Sequence, residues 1–501
     1  MIIDKVIKNN LILFFLLIKL KNPNLLNKTS LIDNIFLKFD TDKKKLISVI
    51  NPSTNSHLED ISCVTEPDIK LSINSASNAF LTWSKLLPQE RTKILKKWFD
   101  LIIKNKEDLA LIMTHEQGKP LSECRSEIDY GASFVEFYAE QAKRPDIRNI
   151  TSHLQDAEVE LWLEPIGVAA LVTPWNFPHA MITRKASAAL AIGCTVLIHP
   201  SPETPFSALA LAELAKQAGF PNGVFNVLVG ESDKIVSQWL DDVRIRALSF
   251  TGSTEIGKLL YQKSASTIKR VCLELGGHAP FIVFNDAIID KAVEEAIKAK
   301  FSTSGQDCLG ANRFYIHEDI YENFYLKFKD KTSKLRVGKG IDNLDIGPLI
   351  NKKAIAKQNE HIEDALNKGS KLVLGGKKEN LNDLFFNPTI LINVPDNAKI
   401  MKEETFGPVA AFTSFKTEDE VVSKANSTEY GLMAYLHTQD PSRIYRLSRA
   451  LEFGMIGVNR TKVTGAPIPF GGRKQSGIGR EGSYAGLEAF SEIKYICRDW
   501  S

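Results

Sequence analysis

The feature that most narrows what this chain can fold into is a set of short, wholly apolar segments between residues 168 and 250. Residues 168–172, 195–198, 224–229 and 247–250 are the apolar runs, and helix-forming stretches such as 207–218 separate them. A strand that is apolar on both faces has to be covered on both faces. For strands joined through helices, that condition means a parallel, doubly wound α/β sheet. A second block of the same alternation runs from residue 281 to about 413. Upstream, Asn51-Pro52-Ser53-Thr54 reads as the turn that opens a first strand pair. Ala79, Trp83, Leu86 and Leu87 fall at helical spacing before Pro88, and residues 91–111 read as one amphipathic helix. Val159, Leu161 and Leu163 alternate with Glu160, Trp162 and Glu164, a short strand signal that Trp162 leaves imperfect. No internal repeat or low-complexity segment interrupts the pattern.

Bulk properties remove several function classes. The chain of 501 residues has room for about three units of ~150 residues, although large α/β enzymes interleave their domains. With 63 basic against 60 acidic residues it has no field suited to nucleic acid. Cys63, Cys124, Cys194, Cys272, Cys308 and Cys497 form no Cys-x-x-Cys pair and no compact disulfide framework, so reduced thiols in a cytoplasmic protein are expected. The nine histidines show no His-x-x-x-His spacing, and no metal site is expected. Residues 11–18 form an apolar run between Lys8 and Lys19, too short for a bilayer, which needs about 20 residues, and no small-x-small cleavage site follows. An uncleaved tail, a misassigned start codon and a weak membrane-surface anchor remain open for it. The first two are favoured, and no membrane partner is expected.

Three patches carry chemistry. Cys308 ends Ser304-Gly305-Gln306-Asp307-Cys308, Glu274 opens Glu274-Leu275-Gly276-Gly277, and Asn176 lies in Pro174-Trp175-Asn176-Phe177-Pro178. A lone cysteine is far more often a small buried hydrophobe than a nucleophile. A thiol, a carboxylate and a side-chain amide together, however, are what covalent chemistry on a carbonyl needs: an attacking thiolate, an oxyanion donor and a base for water. Cys272 and Cys194 read as core. Thr251-Gly252-Ser253-Thr254-Glu255-Ile256-Gly257 follows an apolar strand and opens a helix, where backbone N–H groups favour a phosphate. On its own that loop is equally well a capped helix start, with Ser253 or Thr254 as the cap.

In order and spacing, from about Asn51 to Cys497, these patches resemble the aldehyde dehydrogenase superfamily, and most closely its succinate semialdehyde dehydrogenase branch. The resemblance implies two doubly wound α/β domains and a small β bridging element. Residues 31–142 and 166–276 would form the coenzyme domain, 277–476 the catalytic domain, and 143–165 with 477–501 the bridging and oligomerisation element, behind an N-terminal extension of residues 1–30. It implies a homodimer or homotetramer and an NAD or NADP coenzyme. Catalytic roles fall to Cys308 as nucleophile, Glu274 as base for the hydrolytic water, and Asn176 with the Cys308 N–H as oxyanion donors. Lys185 and Glu481 match positions linked to proton relay and cofactor placement. Gly252, Ser253 and Gly257 match the nucleotide loop, Glu404 and Phe406 the nicotinamide end, and Trp175 and Phe470 the pocket walls. Glu274 also argues against the CoA-acylating branch. A catalytically inactive scaffold of the same fold has no reason to keep all three reacting groups.

The departures matter as much. Where relatives carry Lys-Pro at the ribose site, this chain has His199-Pro200-Ser201-Pro202-Glu203, which leaves NAD against NADP open. Asp307 stands where the branch has threonine, and is expected to point away from the sulfur. Arg184, in Phe177-Pro178-His179-Ala180-Met181-Ile182-Thr183-Arg184-Lys185, matches an arginine that binds the substrate's distal carboxylate. The branch's second arginine is here Ser302. Arg460 or Lys462 is a candidate replacement, and Thr464 offers a hydroxyl. The small-molecule substrate implied is succinate semialdehyde or a similar ω-carboxy aldehyde, with a broad-specificity or betaine-type aldehyde dehydrogenase as the alternative.

Overall fold

The computed structural model describes residues 19–40, 45–144, 147–378 and 383–499; the apolar run at 11–18 lies outside them. The first apolar block folds into an eight-stranded sheet whose strands, in order across it, begin at Gly477, Arg270, Ile245, Val168, Thr195, Phe225, Leu31 and Ile35. From Arg270 to Phe225 the strands run parallel, and short antiparallel strands close both edges. Val168–Thr173 and Thr195–Pro200 are buried along their whole length, as their composition demands. The apolar run at 224–229 contributes only Phe225–Val227, because Val229 leaves the sheet to pair with Ser30 Oγ and Val64 N.

The expected single helix at 91–111 is two helices, Pro88–Lys104 and Lys106–Gln117. Asn105 breaks it: its backbone leaves helical geometry and its side-chain amide turns back onto the Leu101 carbonyl at 2.8 Å. Pro88 starts the first of them, where a missing N–H costs nothing. The turn at Asn51-Pro52-Ser53-Thr54 joins two strands, Leu46–Asn51 and Ser56–Ser62, and two shorter strands precede that hairpin.

The second block is a seven-stranded sheet in the order Lys371, Thr389, Val409, Ala311, Ala279, Met433, Met455, parallel apart from Lys371–Leu374, and it continues past residue 413 to Met455–Val458. A three-stranded antiparallel sheet is built from Ser491–Asp499, Ala157–Pro165 and Ile147–Ile150. Of the C-terminal stretch, Gly477–Ile478 sits instead on the edge of the first sheet, against Arg270–Glu274. Each large sheet has apolar layers on both faces. The C-terminal ends of the first sheet's strands face the loops that enter the second sheet, and a cavity of about 1230 Å³ lies between them.

Candidate active site

The segment that presents Cys308 is held under backbone strain. Helix Ile289–Phe301 ends, and Thr303, Ser304 and Gly305 follow at φ of +51°, +58° and +72°. Such angles are costly for a β-branched residue and persist only where the surroundings impose them. Here they do. Both Glu123 oxygens accept from Thr303 N–H at 3.1 Å, Ser304 Oγ donates to the Gly347 carbonyl at 2.9 Å, and Gln306 Oε1 accepts from Ile350 N–H at 2.9 Å. Gly277 allows the approach from the other side, since a Cβ there would lie 2.1 Å from the Cys308 carbonyl oxygen. The thiol is left on the cavity wall.

Asn176 and Glu274 meet the same cavity from the first sheet. Asn176 follows Val168–Thr173, is 6 % exposed and donates through Nδ2 to the Gln306 carbonyl at 3.1 Å, two residues before the thiol. Its own carbonyl accepts from buried Lys119 Nζ at 2.6 Å, and Lys119 pairs with Glu127 at 2.6 Å. Glu274 is the last residue of Arg270–Glu274, is 2 % exposed, and neither of its carboxylate oxygens has a hydrogen-bond partner among the described residues. Burial, and then the charge of Glu481, push its pKa well above the usual carboxylate range.

Beneath them lies a fully paired ionic group. Glu481 accepts from Arg184 Nε at 2.6 Å, from Lys185 Nζ, and from Ser249 Oγ at 3.1 Å. Burial opposes its charge, yet Lys185 and Arg184 hold Glu481 below the usual carboxylate range. The Arg184 guanidinium lies 4.2 Å from the centre of the Phe470 ring, and both residues line the cavity.

Asp307 departs from expectation. Its carboxylate does not point away: it lines the cavity, accepts from Leu309 N–H at 2.9 Å and interacts with the Cys308 side chain. Burial first and Asp307 second push the thiol well above its ordinary pKa, while Arg184 pulls the other way.

At the opposite end, Gly252 and exposed Ser253 line the cavity where helix Thr254–Ser264 begins. Ser253 is the helix cap, accepting from Ile256 N–H at 3.4 Å. Gly257 is off the cavity and serves packing: a Cβ there would strike the Leu275 side chain at 2.3 Å. Glu404 accepts from Gly277 N–H at 2.8 Å, and burial raises its pKa to about 7. The Trp175 and Phe406 rings meet edge-on with centroids 5.5 Å apart, and both line the cavity. The cavity exceeds the usual range of about 300–1,000 Å³ for one small ligand. A capped helix start at one end, with a carboxylate and two aromatic rings near the thiol, fits a dinucleotide lying beside a small aldehyde.

Thr464 and Lys462 also line the cavity and Lys462 is exposed, whereas Arg460 is exposed away from it; Ser302 lines it and donates to the Lys298 carbonyl at 2.8 Å. Besides Gly257, two expected site residues lie elsewhere. Lys185 is buried on Glu481 and Ser249, and His199 is buried with both ring nitrogens engaged, at Leu228 O and Ser232 Oγ. Neither lines the cavity. Sequence reasoning missed Glu123, Lys119 and Glu127, which act on Thr303, Asn176 and each other from helix Leu121–Gln141 or the turn before it. No local motif marks them.

Comparison with known proteins identifies the family. A model of the aldehyde dehydrogenase family matches residues 39–496. The chain is 48% identical over 480 residues to a succinate-semialdehyde dehydrogenase [NADP(+)] of Escherichia coli, covering 96% of this chain and 99% of the relative. It is 46% identical to a glutarate-semialdehyde dehydrogenase of Pseudomonas aeruginosa, covering 96% and 99%. The crystal structure of an NADP-dependent enzyme of Escherichia coli superposes with a TM-score of 0.94 at 48% identity, covering 96% of this chain and all of that one.

Proposed function

Because the chain belongs to the aldehyde dehydrogenase family, we propose that it oxidises a small aldehyde bearing a distal carboxylate, succinate semialdehyde or a near homologue, to the acid with NAD or NADP. One observation carries the substrate reading: Arg184 and Lys462, two of the five cationic residues that line the same cavity as Cys308, stand in it beside Phe470 and Thr464. Arg184 is oriented by Glu481 through Nε, and Lys462 is exposed with no ion pair among the described residues. A carboxylate at the far end of a short chain would be held by charge-assisted hydrogen bonds while its aldehyde reaches the thiol. Thr464 on the same wall adds a hydroxyl.

The chemistry follows from the side chains. Cys308 passes its proton to water in the cavity as its sulfur bonds the aldehyde carbon, and Arg184 favours the thiolate that Asp307 and burial oppose. The oxygen's developing charge is met by the second N–H of the Asn176 amide and by the Cys308 N–H. The nicotinamide coenzyme, when bound, supplies the acceptor for the hydrogen and electron pair that leave that carbon. Glu404, Phe406 and Trp175 would hold its reactive end, and Gly252 with Ser253 its phosphates. Glu274, buried and without a hydrogen-bond partner among the described residues, would take a proton from the water that cleaves the resulting thioester.

Two further readings complete the proposal. Ile493 and Tyr495, 70% and 54% exposed on the edge strand Ser491–Asp499, support assembly through that sheet into a dimer or tetramer. A monomeric mass in solution would remove that reading. All six cysteines are free thiols, which supports a cytoplasmic setting. Separately, no helix among the described residues is long and apolar enough to cross a membrane.

The test compares succinate semialdehyde, glutarate semialdehyde and an uncharged aldehyde of similar length, in wild type, Lys462→Met and Arg184→Gln. A KM lower by about tenfold or more for the charged aldehydes, lost in both variants while kcat for the uncharged aldehyde persists in Lys462→Met, is expected. Equal kcat/KM for all three in wild type would transfer the assignment to a broad-specificity or betaine-type aldehyde dehydrogenase.

A further inference from the structure

We infer that helix Leu121–Gln141 fixes the nucleophile and the oxyanion donor relative to each other, with Glu123 and Glu127, one turn apart on its cavity face, as the positioning residues. The inference rests on the roles given above to Cys308 and Asn176 and goes beyond them. Those two groups arrive from different sheets: Cys308 precedes strand Ala311–His317 of the second, and Asn176 follows Val168–Thr173 of the first. Sulfur attack and oxyanion capture act on the two ends of one carbon–oxygen bond, so a misplacement of about 1 Å between them costs about 10²-fold in rate. The hydrogen bond from Asn176 Nδ2 to the Gln306 carbonyl joins their segments directly, and a single bond leaves them free to pivot.

The helix removes that freedom. Ile128, Phe134, Val135 and Tyr138 root it in the apolar core of the first sheet, while its start docks on the second block. There Ser122 N–H donates to Asn343 Oδ1 at 2.7 Å, and a Cβ on Gly340 would lie 2.3 Å from the Lys119 carbonyl oxygen. From this footing both Glu123 oxygens accept from Thr303 N–H at 3.1 Å, in the left-handed turn that presents the thiol. Glu127 stands four residues further, about 6 Å along the axis, and holds the other group. Its Oε1 accepts from His179 N–H at 2.9 Å and Ala180 N–H at 3.1 Å. Its Oε2 accepts from Lys119 Nζ, which also donates to the Asn176 backbone carbonyl, both at 2.6 Å. Another turn on is Gly131, where a Cβ would lie 2.4 Å from His179 Nδ1. The absent side chain lets the helix approach the segment that follows Asn176.

The two carboxylates differ in what their loss would do to the fold. Lys119 and Glu127 are 1% and 3% exposed, so removing either alone buries an unmatched charge. Glu123 is half-buried and forms no ion pair among the described residues. Without it the fold keeps its core, but Thr303 loses the acceptor that holds its backbone in an unfavourable conformation.

The experiment follows reduced-coenzyme formation in a single turnover, with full-length enzyme in excess over succinate semialdehyde, so that the first half of the reaction is read without hydrolysis. It compares wild type, Glu123→Ala, Glu123→Gln and the double variant Lys119→Met with Glu127→Gln, which removes both buried charges together. Glu123→Ala and the double variant should slow the single turnover by about 10–10²-fold, with coenzyme affinity by fluorescence titration unchanged within about twofold. Glu123→Gln keeps an oxygen for the Thr303 N–H and should recover the rate to within about threefold of wild type. A rate within about threefold of wild type in Glu123→Ala or in the folded double variant would overturn the inference. So would a rate that Glu123→Gln fails to restore, a rate that falls only in step with coenzyme affinity, or loss of the fold in Glu123→Ala. A wild type that forms no reduced coenzyme from the aldehyde would instead overturn the reading of the site on which the inference stands.

Discussion

Two buried carboxylates a few side chains apart have been given opposite environments. Glu481, under the cavity, is surrounded by Arg184, Lys185 and Ser249, and its charge is held by them. Glu274, at the cavity, accepts no hydrogen bond among the described residues, and its charged form is disfavoured by burial and by Glu481 itself. The pairing decides what each can do. A carboxylate whose oxygens are filled is a support, because moving a proton on or off it would break several contacts at once. A carboxylate left unfilled beside a thiol is a proton acceptor waiting for its water. The same contrast separates Asn176, whose amide keeps one N–H for the cavity, from Lys119, whose ammonium is spent on Glu127 and on the Asn176 carbonyl.

Substituting the reacting group itself should have the largest effect. Cys308→Ala should lower aldehyde-dependent coenzyme reduction by roughly 10⁴-fold or more while coenzyme binding is retained, as read by steady-state rates and fluorescence titration. Residual turnover within tenfold of wild type would mean that another group bears the acyl intermediate. Glu274→Gln comes next. Steady-state turnover should fall by about 10²–10⁴-fold while a burst of reduced coenzyme equal to the enzyme concentration survives, because only the hydrolytic half needs the base. The pH profile sharpens the assignment. The base acts when ionised and its pKa is raised, so the wild-type rate should climb with pH along a limb above the ordinary carboxylate range. Glu274→Gln should abolish that limb, and a limb unchanged in the variant would move the role to another group.

The contrast also marks how far the sequence could be read. Short segments apolar on both faces and separated by helices point to buried parallel strands, so the first sheet was legible, and Cys308, Glu274 and Asn176 each stand in a local motif. The support group was not: Glu481 is 297 residues from Arg184 and 296 from Lys185, and only the fold brings them together. Side-chain direction was equally hidden. His199 turns inward because Leu228 and Ser232 supply an acceptor and a donor from another element, and Asp307 faces the cavity because Leu309 N–H anchors it. The left-handed backbone at Thr303 and Ser304 left no trace either, since neither residue is glycine and the restraint is Glu123, 180 residues away. Helix Pro88–Lys104 ended where periodicity alone saw continuity, because Asn105 competes for the backbone of its own helix.

The smallest effect on chemistry, and the largest on the fold, is expected from Glu481→Gln. If Glu481 is a support, the neutral amide leaves Arg184 and Lys185 buried without their counter-charge, which costs about 3–5 kcal/mol of stability. Denaturant midpoints should record that loss at neutral pH. Its pH dependence has a definite sign. The folded pKa of Glu481 lies below its ordinary value of 4.5, so its stabilisation is fully present above pH 4.5 and fades as pH falls through the folded value. The gap between wild type and Glu481→Gln should therefore narrow in acid and stay constant from about pH 6 to 8. At a temperature where both proteins are folded, the burst of reduced coenzyme should persist in the variant, with a raised KM for the charged aldehydes as Arg184 loses its orientation. A burst lost outright in well-folded Glu481→Gln would place Glu481 among the reacting groups, and the two carboxylates would then be partners in one proton path.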